Sequence, residues 1–77
     1  MRLTETIYSS EHDMIIFQDG EIIVVFDDTV TWLQANSLKD MLILHLYMEK
    51  MNLSENDREG ITTYILDLYD KYKAKNY

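Results

Sequence analysis

The sequence contains no cysteine. That removes disulfides and every zinc or iron–sulfur site built on thiolates, and it suits a reducing compartment. Proline is absent as well and glycine occurs only twice, so the chain lacks the composition of a linker or a disordered tail. No apolar run approaches the roughly 20 residues that a helix needs to cross a bilayer. The N-terminal residues carry one arginine and then polar positions, without the apolar segment of a secretory signal. Together these absences predict a cytoplasmic protein that makes no use of membranes, since an acidic surface is repelled by anionic head groups. Bases are the other scarcity: seven Lys and Arg stand against fourteen Asp and Glu. Lys71, Lys73 and Lys75 crowd into the C-terminal end, and no Lys or Arg occurs from Leu3 to Leu38. Such a chain has little means of holding a phosphate backbone, so direct nucleic-acid binding is not expected.

What is present is enough apolar surface to fold. Hydrophobic residues make up 47% of the 77 positions, with Trp32, two phenylalanines and six tyrosines among them. One domain over residues 1–77 is expected, short enough that oligomerisation is the remaining source of extra stability. The clearest local pattern is a hairpin. Met14–Phe17 and Ile22–Phe26 are β-prone runs around Gln18-Asp19-Gly20-Glu21, and Asp-Gly suits a two-residue type I′ turn. That turn pairs Phe17 with Ile22, Ile16 with Ile23, Ile15 with Val24 and Met14 with Val25. Both faces of the ribbon are then apolar, so each needs a cover. Leu3–Tyr8 reads as a further strand. Asp27-Asp28 breaks the run after Phe26, and residues 29–36 fit either a strand continuing a meander or a short helix.

The first secure helix starts after Ser37, whose spacing to Asp40 resembles a capping box. It extends to about Met51, with apolar residues in several sectors, which predicts burial on more than one side. Ser54 or Asn56 caps a second helix over about 55–74, where Ile61, Tyr64, Ile65, Leu68, Tyr69 and Tyr72 form one stripe. The expected fold is therefore α+β: a small antiparallel sheet, hairpin or meander, covered by two antiparallel α-helices. The uncovered apolar surface predicts a homodimer.

No motif for catalysis, cofactor or metal is present. His45 and Glu49 are spaced i,i+4 on a helix, but two ligands make a weak site. No Gly-rich phosphate loop exists, and no serine is paired with a base. The function expected is an acidic protein–protein interaction module that binds a basic protein surface. In its sharper form it is a phage-type inhibitor that mimics DNA and occupies the nucleic-acid site of a host DNA-binding protein. The alternative is a small homodimeric structural or regulatory accessory without mimicry. The acidic candidates fall into two groups. Asp13, Asp19, Glu21, Asp27 and Asp28 cluster at the turn and far ends of the hairpin, and Glu55, Glu59, Asp67 and Asp70 form a ridge on the second helix. Trp32 is the candidate apolar anchor, because aromatic residues concentrate binding energy.

Ile16-Phe17-Gln18-Asp19-Gly20-Glu21, followed by Asp28-Thr29-Val30-Thr31-Trp32-Leu33-Gln34 and an amphipathic helix, resembles the opening of some phage and mobile-element regulators. Those proteins are associated with DNA. The rest of this chain departs from them and lacks the basic surface that binding DNA would require.

Overall fold

The computed structural model describes residues 3–76. Four strands, β1 (Thr4–Ser9), β2 (Met14–Gln18), β3 (Glu21–Phe26) and β4 (Thr29–Gln34), are followed by two helices, α1 (Leu38–Lys50) and α2 (Glu55–Asn76). The strands form one antiparallel meander in the order β1-β2-β3-β4. The α+β architecture is the one expected, and the hairpin register places Phe17 opposite Ile22 and Met14 opposite Val25.

Two tight turns set this register. Asp19 and Gly20 both have positive φ, 49° and 89°, as a type I′ turn requires. Asp27 and Asp28, at 51° and 62°, repeat the same turn without a glycine. Aspartate tolerates the left-handed region better than most residues, so the pair joins two strands, and residues 29–34 are a strand rather than a helix. A register shift between Thr6 and Tyr8 leaves a bulge at Ile7, and both Ile7 and Tyr8 pack against the core.

The helices lie on one face of the sheet. Ile15, Phe17, Ile22 and Val24 are fully buried on that face, together with Leu44 and Met48 from α1 and Ile65 from α2. Each large side chain buried in this way contributes about 1.5–3 kcal/mol of transfer free energy. Thr31 Oγ1 and Tyr47 Oη lie 3.1 Å apart and tie β4 to α1.

Ser37 caps α1 by accepting the Asp40 N–H at 3.2 Å. The reciprocal half of a capping box does not form, because Asp40 Oδ2 accepts the Gln34 N–H at 2.8 Å instead. That bond occupies a donor at the end of β4, an edge strand. Ser54 is the cap of α2, accepting the Asp57 N–H. Leu38 and Met41 at the start of α1 share a groove with Leu66, Tyr69 and Lys73 late in α2, so the helices run antiparallel.

Burial of α1 on more than one side is realised in part: Ile43 and Tyr47 pack half-buried against the core beside the fully covered sector, but a third apolar sector stays open. Met41, Leu44 and Met48 are buried, while Leu38, Leu42 and Leu46 remain 77%, 59% and 58% exposed. A helix resting on one face of a sheet, with one neighbouring helix, has a side left over.

The two glycines predict opposite responses. Gly60 is exposed in α2, and a methyl group there would meet nothing within 4 Å. Gly60→Ala should therefore stabilise the fold by about 1 kcal/mol, raising the thermal midpoint by about 4–8 °C. At Gly20 a Cβ would sit 3.0 Å from Tyr72 Cε2, at a φ of 89°. Gly20→Ala should cost about 1–2 kcal/mol, read as a lower midpoint in the same melting experiment.

Candidate interaction surface

Side chains alternate along a strand, so the residues between the buried ones point away from the helices. On β2 and β3 these are Met14, Ile16, Ile23 and Val25, and on β4 they are Val30 and Trp32. Cross-strand pairing assembles them into two rows, Ile16–Ile23–Trp32 and Met14–Val25–Val30. Val30 is 55% exposed and Trp32 53%. Neither α1 nor α2 lies over this face. It is a contiguous apolar patch, with Thr6 and Ser9 of β1 along one side and the outer edge of β4 along the other.

Both ends of the patch are acidic. At one end Gln18, Glu21 and Gln34 form a polar row, with Gln34 Nε2 donating to Glu21 Oε2 at 3.1 Å. Asp19 lies in the adjacent turn, where its Oδ1 accepts the Leu3 N–H at 2.7 Å. Its carboxylate therefore has a structural task as well. At the opposite end the β1–β2 and β3–β4 turns bring Asp13 near the level of Asp27 and Asp28, which are exposed. The five candidate carboxylates of the sheet and its turns are thus divided between the two ends of the strands.

The other four candidates stand elsewhere. Glu55, Glu59, Asp67 and Asp70 are exposed on α2, which packs on the inner face. Lys71 lies 3.7 Å from Asp67 and Lys73 3.7 Å from Asp70, so half of this ridge is paired with cations. The nine acids do not form one site.

The fold turns the base-poor half of the sequence into a layer. Residues 3–37, which make the sheet and its turns, hold seven carboxylates (Glu5, Glu11, Asp13, Asp19, Glu21, Asp27 and Asp28) and no Lys or Arg. Residues 38–76, the helical layer, hold seven carboxylates and six bases. The chain's formal charge of −7 therefore resides almost wholly on the sheet.

His45 serves as a tie between helices. Its Nε2 is 3.2 Å from Thr62 Oγ1, whose own proton is directed to the Arg58 carbonyl at 2.8 Å. With the threonine proton on that carbonyl, the imidazole meets Oγ1 as a donor through Nε2–H. Among the described residues no group of three His, Cys, Asp or Glu is placed to hold a metal ion, and no helix is long and apolar enough to cross a membrane. The chain matches no protein-family model, no curated protein and no solved structure.

A contact absent from the local pattern joins the ends of the fold. Tyr64 Oη donates to Glu5 Oε1 at 2.7 Å, linking α2 to β1 across 59 positions of sequence. The tyrosine pKa is raised, first by this hydrogen bond to Glu5, then by desolvation and the charges of Glu5 and Asp67. A raised folded-state pKa means the folded chain holds this proton more tightly than the unfolded chain. The contribution is fully present below tyrosine's ordinary value of about 10 and is lost as pH rises from there through the higher folded-state value. Urea midpoints at about pH 8 and about pH 10.5 should fall further for the parent chain than for Tyr64→Phe. Equal falls would show that the contact does not form.

Proposed function

We propose that this chain is an acidic protein–protein interaction module whose sheet face docks on a basic protein surface. The observation carrying the reading is the six-residue apolar patch bounded by acids at both ends, in a layer containing no base. Apolar contact centred on Trp32 supplies affinity, and the one-signed field speeds encounter and disfavours acidic partners. β3 is six residues long, so the acidic ends are roughly 20 Å apart at about 3.3 Å per residue. A matching partner carries an apolar centre between two separated basic clusters.

The sharper form is competitive. A DNA-binding protein of a host, met by an inhibitor of the phage type, offers such basic clusters where it normally holds phosphates. Carboxylates at the sheet ends take the phosphates' places and exclude the nucleic acid. The half-neutralised ridge of α2 contributes less to this mimicry than the sheet does. The second reading, a small homodimeric accessory without mimicry, is favoured by one specific observation, the exposed leucines of α1.

The discriminating experiment is capture on the immobilised chain, with identification of bound proteins by mass spectrometry. A basic partner is expected, with affinity that falls steeply as salt rises from about 50 to about 500 mM, and release by excess duplex DNA. Trp32→Lys should weaken the same complex by about 30-fold or more, the effect of losing an interface hot spot. Binding indifferent to both salt and DNA would sink the mimic and leave the accessory reading.

A further inference from the structure

Leu38, Leu42 and Leu46 recur every four residues on α1 and stand 77%, 59% and 58% exposed. Leu42 and Leu46 each lie two positions from Leu44, which is fully buried on the sheet side. At 100° per residue that is about 200° around the helix, so both point away from the sheet. Leu66 of α2, 49% exposed, lies across a shallow groove from Leu38.

We propose that this leucine ridge is where two copies of the chain meet. Charge selects that occupant. The layer bearing the ridge has seven carboxylates and six bases, with Lys39, Glu49 and Lys50 interspersed along α1 itself. A second copy brought to this side meets a nearly neutral, mixed surface. The sheet, carrying seven acids and no base from residue 3 to residue 37, repels a copy of itself. Equal spacing makes the ridge self-complementary: with α1 antiparallel to its counterpart and Leu42 at the twofold axis, Leu38 of each copy meets Leu46 of the other. Four part-exposed leucines cover less than the roughly 800 Å² per partner of a standard interface, so the dissociation constant falls in the micromolar range or weaker. This contact does not depend on the sheet having a basic partner, because the two surfaces lie on opposite sides of the core.

Sedimentation equilibrium from about 1 µM to about 1 mM tests it. The expected result is a monomer–dimer equilibrium that holds or tightens as salt screens the net repulsion between copies, the reverse of the salt response of the sheet's complex. Leu42→Glu, at a position the core does not use, should keep the parent circular dichroism spectrum and raise the dissociation constant by about 30-fold or more. Trp32→Glu should leave dimerisation unchanged. Should Leu42→Glu unfold, Leu46→Gln is read in its place with the same expectation. A monomer throughout the range, a dimer that survives the leucine substitution, or a dimer abolished by Trp32→Glu would each overturn the proposal, the last by moving the contact to the sheet.

Discussion

β2 and β3 carry apolar side chains on both parities, and a strand cannot turn two faces toward one core. Ile15, Phe17, Ile22 and Val24 take the face that the helices cover. Met14, Ile16, Ile23 and Val25 are thereby committed to the other. The register fixed by the Asp19-Gly20 and Asp27-Asp28 turns extends the same division to β4, sending Leu33 inward and Trp32 outward. A one-residue slip would exchange the two sets, with Phe17 losing its packing against the helices. The exposed patch is thus a consequence of the register that builds the core.

The acids follow from the same geometry. A two-residue hairpin turn needs positive φ at both central positions. Aspartate fills three of those four positions, Asp19, Asp27 and Asp28, where it also places charge at the ends of the strands. Charges there discourage association of an otherwise adhesive sheet with its own copies. Among the described residues the bases are confined to the helical layer, and Lys73 and Lys75 lie in the last turn of α2, where cations suit the helix dipole. Backbone demands and dipole preferences thus contribute to a charge difference between the two sides of the molecule.

Much of this was legible in the sequence, because the signals were local. The hairpin register followed from Asp-Gly between two β-prone runs, the start of α1 from Ser37, and the start of α2 to within two residues, with Ser54 and Asn56 both fitting as its cap until the structure selects Ser54. Residues 29–36 stayed open between strand and helix because Asp27-Asp28 lacks the glycine that usually marks a type I′ turn, and only the backbone angles show it to be one. The exposure of Leu42 and Leu46 was hidden for another reason. Apolar residues in several sectors of a helix say that more than one side wants cover, not whether the same chain supplies it. Asp40 matched the spacing of a capping box, yet its carboxylate went to Gln34, a partner that local spacing does not reveal. The Glu5–Tyr64 bond had no sequence signal, since two polar residues so far apart meet only through the packing of everything between them. The candidate acids were readable as residues but not as a surface: the fold divides them among two ends of a sheet and one helix.

Trp32 bears on what that surface is for. Its backbone belongs to the ladder with Ile23, but its ring lies on the side away from the helices and contributes no buried contact to the core. A threonine would serve the strand about as well, β-branched residues being suited to such positions. The fold therefore gives no strong reason for a large aromatic side chain there, whereas a docking face does: aromatic residues bring contact area with little rotamer entropy to lose. The leucines opposite complete the argument. Two copies joined through α1 place their sheets on opposite outer sides, which separates the strongest like charges and leaves both Trp32 faces available. Sheet-to-sheet joining would bring the same charges together and cover both. The back-to-back arrangement is the one in which charge and apolar surface make compatible demands.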